Sequence, residues 1–436
     1  MNNSIPKNPI LFGIFISKLH KKWAVAALFC VFIASTLGGR FLVVILRNLT
    51  DSIAASPVNL NQVWLWTILY PVLLLVSETI WRTSGFMGMH WFINFRASAY
   101  QLLYEYLTLH SKDYFNSKFA GSLSNKISHA VDGTEQLFEK FLWQFIPLIL
   151  GLFWYVIFSW ISDYRLGLII AIWSIIFLGI NIGFSKKLQP YSFKSAKTLS
   201  TLKGKVVDSL SNISLVHEYA YITGEKDYIK RFINKDREAG FSHWKISEWI
   251  LFANGVLICI FVASMIFTSV YLFQNNFVSI GVVIMTVAIV GNISDQFLFI
   301  GQEMANASKY YGEAKEGLEE ILHDHIIVDN PGAVNLELSA GNIDIDSMDF
   351  EYGETKVFNN FSLQIPAGQK VGFVGRSGAG KTTFVSLLLR HYDIQSGEIK
   401  IDGQNINNVT LESLRRSIAF VPQDTSLFHR SIKENV

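Results

Sequence analysis

Six long apolar stretches dominate the first two thirds of the chain. They run from about Trp23 to Leu46, Val63 to Trp81, Phe141 to Trp160, Leu166 to Phe184, Trp249 to Phe273 and Val278 to Ile300. Each is about 19 residues or longer, which matches a hydrocarbon core of roughly 30 Å at 1.5 Å rise per residue. A buried helix of a soluble protein would be shorter and would carry a polar face. The pattern therefore predicts six membrane-spanning helices. Between spans 2 and 3 and between spans 4 and 5 lie two polar segments of about sixty residues. Their periodicity is helical, and loops this long rarely lack structure. They are expected to be helical extensions of the spans.

Beyond span 6, "ASKYYGEAKEGLEEILHDH" continues as a charged helix, and Asn330-Pro331-Gly332 marks a linker. From Gly341 the period changes. "NIDIDSMDFEY" and "FNNFSLQIPAG" alternate as strands, and "QKVGFV" is apolar enough for a buried strand. The expected organisation is a transmembrane domain over 1–325, a linker over 326–340 and an α/β domain over 341–436.

Composition sharpens this. Half the residues are hydrophobic and 17% are charged, against roughly a quarter charged in soluble domains. The net charge of +2 is too small to imply nucleic-acid binding, and lipid is the expected environment. Charge placement carries more. Lys7, Lys18, Lys21 and Lys22 precede span 1, and both long loops are rich in Lys and Arg. The remaining loops, such as "ISDYR" and "QNNF", are nearly free of them. The positive-inside rule then puts the N-terminus, both long loops and the C-terminal domain in the cytoplasm. The N-terminus lacks a signal-peptide pattern, so the first apolar run is expected to be a retained span. Without a transit peptide, a bacterial inner membrane is favoured.

Several polar residues fall near the spans. Counted along a straight helix, Arg40 lies about 26 Å from Trp23, near the outer face, and is expected to snorkel or pair, the alternative being a polar patch that faces a substrate path. Asp295 falls near the inner face by the same count. Glu78 and Arg82 are spaced for an i, i+4 pair. Cys30 and Cys259 are expected to be small buried side chains, and His323 and His325 a solvated face.

The most specific chemistry is "GRSGAGKT", a G-x-x-x-x-G-K-[ST] pattern from Gly375 to Thr382. Glycines let backbone N–H groups turn inward on phosphate oxygens. The following "KTTFVSLLLRHY" reads as a helix, whose positive end would face the same anion. Lys381 would reach the β- and γ-phosphates, and Thr382 would give its hydroxyl to Mg²⁺.

Tyr352 precedes this loop, and "FVPQDT", with Gln423, follows it. That ordered set resembles the ATP-binding domain of ABC exporters. The six spans with two basic cytoplasmic loops resemble that family's transmembrane domain, and "YFNSKFAGSLSNKISHAVDG" its first intracellular loop. The resemblance implies an ATP-driven half-transporter that pairs with a second half, as a homodimer or a heterodimer, to export an unidentified substrate. It implies that Tyr352 stacks on adenine and that Gly375, Arg376, Ser377, Gly378, Ala379, Gly380, Lys381, Thr382 and Thr383 form the Walker A loop. It also implies that Gln423 meets Mg²⁺ beside the transmembrane domain. ATP and Mg²⁺ are the expected cofactors.

In the family, the signature sequence, the Walker B carboxylates and a switch histidine follow the glutamine. They fall beyond Val436, so no catalytic residue is expected within these 436 residues, and the α/β domain is expected to be incomplete. "LSAGN" at Leu338 to Asn342 precedes the phosphate loop and is not the signature. A non-catalytic membrane protein that at most binds nucleotide is the alternative. A P-loop kinase or GTPase fits Tyr352 and "FVPQDT" poorly.

Overall fold

The computed structural model describes residues 5–116, 118, 120–297, 300–376, 378–421 and 430–435. By contact the chain divides into two compact units. One is Met1–Gln101 with Lys126–Glu319, and the other is Leu102–Asn125 with Glu320–Val436.

The helices of the first part are α1 (Pro9–Leu19), α2 (Lys21–Thr36), α3 (Leu42–Ala54) and α4 (Leu60–Thr108), then α5 (Lys112–Asn116), α6 (Ala120–Lys140), α7 (Ile146–Ser162) and α8 (Tyr164–Ser211). They continue with α9 (Ile213–Glu218), α10 (Ile222–Gln274), α11 (Ile280–Phe297) and α12 (Ile300–Ile321). Among the described residues, six helical segments are long and apolar enough to cross a membrane. The long polar segments do extend the spans as helices, so α4, α8 and α10 each run about fifty residues.

Polar groups set the turns between spans. Asp163 caps α8, its side chain accepting from the Arg165 N–H at 2.9 Å. Asn276, at φ 60°, ends α10 in the left-handed conformation. Asp51 on α3 accepts from the Ser279 hydroxyl at 2.7 Å and the Gly281 N–H at 2.8 Å. It thereby supplies acceptors to the start of α11. Between these turns, Ile170 and Phe177 of α8, Phe261 and Met265 of α10, and Ile289 and Phe297 of α11 form one buried cluster.

The first span is broken. Leu37–Phe41 is a wide π-type turn in which Gly38 and Gly39 leave helical dihedrals, Gly39 at φ 64°. The break corrects the expected depth of Arg40. Its guanidinium donates to the Pro147 carbonyl at 2.7 Å and lies where a side chain on Gly151 would be, 2.7 Å from that Cβ position. Along the continuous helix Leu123–Ser162, roughly 16 Å separates Gly151 from Ser162, and about the same separates it from Lys140. Arg40 therefore sits midway through the span and turns inward to Pro147 rather than outward to an interface. Counting along a straight helix fails because this one is interrupted. Arg82 lies 3.6 Å from Glu78, the expected i, i+4 pair, and Asp295 is exposed. Cys30 is half-buried, but Cys259 is exposed, so the expectation of burial fails there.

In the second unit, β1 (Ile343–Tyr352) and β2 (Thr355–Ile365) are followed by α13 (Lys381–Leu388), β3 (Ser396–Ile401), β4 (Gln404–Asn405), α14 (Leu411–Arg416) and α15 (Ile432–Asn435). The sheet is antiparallel in the order β2-β1-β3-β4. Strand β1 shows why "IDIDSMDFEY" folds this way. Ile345 is buried, the register shifts before Met348, and Met348 and Phe350 are buried in turn. Ser347, at φ 50°, takes up the extra residue, so the apolar side stays on one face despite the break in alternation.

"QKVGFV" departs from its expected strand. Among the described residues it forms no ladder, and Val371, Phe373 and Val374 are exposed. A continuous apolar strand is stable when neighbours pair with both edges and both faces are covered. No described segment supplies them.

Candidate phosphate-binding site

The loop from Gly375 to Lys381 is shaped by its glycines. Gly378 and Gly380 adopt φ of 83° and 84°, a region that costs an L side chain roughly 1–2 kcal/mol. Gly380 is the residue before α13 and packs on β2. A Cβ there would lie 3.0 Å from Val357 and 3.1 Å from Phe358. The flanks are joined by aromatic contact, since Phe373 before the loop meets Phe384 of α13 at 4.6 Å between ring centroids.

Lys381 turns back over the loop. Its ammonium donates to the carbonyls of Gly375 and Arg376, both at 2.9 Å. Among the described residues no carboxylate lies within salt-bridge reach of it. A positive charge held by carbonyls at the head of a helix is an arrangement suited to an anion. Thr382 is exposed in the first turn of α13 and Thr383 is half-buried. Arg376 and Ala379 are exposed. Ser377 and Gln423 lie outside the described residues.

Tyr352, at the end of β1, is partly exposed. Its ring packs nearly perpendicular to Phe350 at 4.8 Å and to Tyr392 at 5.1 Å between centroids. Tyr392 in turn donates to Asp113 of α5 at 3.5 Å. The residue immediately before the segment that resembles a first intracellular loop thus reaches the aromatic group around Tyr352. Sequence reasoning missed Tyr392 and Asp113, which are separated by 279 positions.

The end of α4 and the turn after it carry a second aromatic group. His325 meets the Tyr106 carbonyl at 3.0 Å, and its ring lies 4.5 Å from that of His110. Tyr106 donates to the His323 carbonyl at 2.8 Å. The expected solvated face is wrong for His325, which is half-buried against Tyr106 and His110. No group of His, Cys, Asp and Glu among the described residues could hold a metal.

His391, next to Tyr392, has its Nδ1 buried without a partner. Burial lowers its pKa to about 4, with Lys112 and Arg415 adding to the effect. Behind the sheet, "LSAGN" has a structural role. The backbone N–H groups of Ser339, Ala340, Gly341 and Asn342 all donate to the Asp402 carboxylate at 2.8–3.0 Å. These bonds hold that carboxyl far below the usual carboxylate range, the Gly341 N–H contributing most.

Known proteins show the same two-part pattern. The family model described as "ABC transporter transmembrane region" matches residues 9–296, and "ABC transporter" matches 358–435. An uncharacterized ABC transporter ATP-binding protein of Haemophilus influenzae is 32% identical over 75% of this chain and 53% of its own length. The mitochondrial iron-sulfur clusters transporter ATM1 of Chaetomium globosum is 30% identical over 73% of this chain and 54% of its own. The β-(1→2)glucan export ATP-binding/permease protein NdvA of Agrobacterium vitis is 30% identical over 63% and 47%. The chain spans about half the length of the curated relatives it matches. Among solved structures, a bacterial Atm1-family ABC exporter with ATP bound overlays with a TM-score of 0.79 at 19% identity. That overlay covers 94% of this chain and 72% of the other.

Proposed function

The chain belongs to the ABC transporters, and from that premise we propose that it is part of one half of a dimeric, ATP-driven exporter. The observation that carries this reading is the Lys381 ammonium, held by two loop carbonyls with no carboxylate near among the described residues, in a chain whose described residues include six helices long and apolar enough to cross a membrane. Gly378 and Gly380 open the backbone to phosphate oxygens, and Lys381 exchanges its carbonyl bonds for charge-assisted ones to phosphate.

The residues fit a nucleotide with Mg²⁺. Thr382 offers an exposed hydroxyl at the head of α13, a hard oxygen donor of the kind Mg²⁺ takes, and Gln423 offers an amide oxygen. When bound, the ion neutralises phosphate charge. Tyr352 is exposed enough to meet adenine, with the Tyr392 ring packed perpendicular to it. Contact between Tyr392 and Asp113 gives nucleotide occupancy a route to the cytoplasmic loop. By the positive-inside rule the basic loops favour a cytoplasmic position for this domain. Hydrolysis and pairing, most simply as a homodimer, are assigned to the whole protein.

The test is binding of a fluorescent ATP analogue to the purified protein in lipid nanodiscs. Lys381→Ala is expected to weaken Mg²⁺-dependent binding by about tenfold or more. Equal affinity in the two proteins would remove the basis of the reading. ATP-dependent accumulation of cargo in inverted vesicles then tests export itself.

A further inference from the structure

A cation halfway through a membrane span requires an explanation, because such groups are costly and are retained for a task. Arg40 is that cation. Of its five N–H donors, the contact made is from Nη2 to the Pro147 carbonyl. Its Nε is buried without a partner. No described carboxylate pairs with it, although Arg47, two turns further along the same span, pairs with Asp51 at 3.8 Å.

The surroundings are built to receive it. Gly151 has no side chain where the guanidinium lies, and any Cβ there would sit 2.7 Å from Nη2. Tyr155, one turn further along α7, is 1% exposed, and its hydroxyl also has no partner. The guanidinium carbon lies 5.9 Å from that ring. Both groups adjoin the helix break. A Cβ on Gly39 would be 4.0 Å from the Tyr155 hydroxyl and 4.0 Å from the Asn292 Oδ1. The empty side-chain position at Gly39 is therefore bounded by two polar atoms at the level of a charge. Interrupted helices near the membrane midplane hold substrate in secondary transporters, and π-type interruptions of a helix often lie at functional sites.

We propose that Arg40, Tyr155 and the break at Gly38–Gly39 form a binding site for the anionic group of the exported cargo, a carboxylate, phosphate or sulfonate. The guanidinium supplies the charge and a planar pair of donors. The Tyr155 hydroxyl supplies a neutral donor that gains a partner on binding. The assignment to cargo rests on the export reading, but the binding site itself does not.

The test uses the purified protein in nanodiscs of zwitterionic lipid. The probe is 8-anilinonaphthalene-1-sulfonate, with N-phenyl-1-naphthylamine as its uncharged counterpart. Saturable sulfonate binding is expected in the wild type. Arg40→Gln should weaken it about tenfold, and Tyr155→Phe about threefold. The uncharged probe should bind all three proteins alike. Equal sulfonate affinity in wild type and Arg40→Gln, or equal loss of both probes, overturns the site. Should Arg40→Gln fail to fold, Tyr155→Phe decides the same question. Soluble 1-naphthalenesulfonate should compete with the probe. Displacement by phosphatidylglycerol in the disc but not by the soluble anion would make this a lipid site and overturn the cargo assignment. Failure of ATP-driven accumulation, with anion binding intact, would bring down the export reading alone.

Discussion

Asn181 of α8 and Asn254 of α10 exchange both amide hydrogen bonds, at 3.1 and 3.0 Å, and both residues are at most 1% exposed. Neither amide has water to fall back on, so removing one leaves the oxygen of the other without its donor, although Asn181 keeps its bond to the Phe177 carbonyl at 3.0 Å. Asn254→Ala is expected to destabilise the helical unit by about 1–2 kcal/mol. Replacing both with Leu should cost less than the two single changes together, because no orphaned amide remains. Thermal unfolding of the three variants in detergent reads this directly, and strict additivity would show that the pair is not coupled.

The ion pair between Arg96 and Glu135 should respond unequally to its two deletions. Arg96 donates to both carboxylate oxygens, at 2.7 and 3.0 Å. The Glu135 side chain is 7% exposed and the Arg96 side chain 54%. Arg96→Ala leaves a buried carboxylate alone and should cost about 3 kcal/mol. Glu135→Ala returns an already wet guanidinium to solvent and should cost closer to 1 kcal/mol. Comparable losses of thermal stability in the two would contradict this asymmetry.

Gly380 couples loop geometry to packing. Ala there must hold φ near 84° and press on Val357 and Phe358. The dihedral alone costs roughly 1–2 kcal/mol. Gly380→Ala should therefore lower both the stability of the second unit and its affinity for an ATP analogue. Gly353→Ala, also at positive φ but with open space around it, should lower stability and leave affinity unchanged. Identical affinity losses at the two glycines would argue against a specific role for the loop.

What could be foreseen from sequence depended on the range of the signal. The six spans were legible because a run such as Leu166 to Phe184 needs no partner to declare itself. The turn at Gly378 and Gly380 was legible because glycine and the following lysine carry the geometry locally. Relations across sequence were not. His325 and Tyr106 meet across 219 positions, and neither belongs to a periodic pattern. Arg40 was misplaced because depth was counted along a helix that breaks two residues earlier. "QKVGFV" had the right composition for a strand, but strand formation is a property of neighbours as well as of composition. Gln423 and Ser377 lie outside the described residues.

His391 gives the second unit a pH dependence with a defined sign. Its pKa in the folded state is about 4, against about 6.5 in an unfolded chain. Between those values the unfolded chain takes up a proton that the folded one refuses. The contribution is complete above about pH 6.5 and is lost progressively as pH falls towards 4. His110, whose pKa burial also lowers, acts in the same direction. Protease resistance of the second unit should therefore decline from pH 7 to pH 5. His391→Gln should flatten that decline, and an unchanged slope would show that other groups set it.

Asp402 presents the opposite charge and should act through the backbone. Its carboxylate accepts from four successive backbone N–H groups, so the folded state keeps it ionised well below the unfolded value of about 3.9. The stabilisation is present above that value and disappears as pH falls through the folded one. At neutral pH an amide in its place has one acceptor oxygen and turns its own N–H donors toward four others. Asp402→Asn is expected to free the segment Ser339 to Asn342. Hydrogen exchange of those amides should then quicken roughly tenfold or more, while the β1–β2 ladder keeps its protection. Asp402→Ala should release the same amides without the added repulsion, and so by less. Exchange at 339–342 that matched wild type in both variants would mean that the turn is held by other contacts, and that the carboxylate only decorates it.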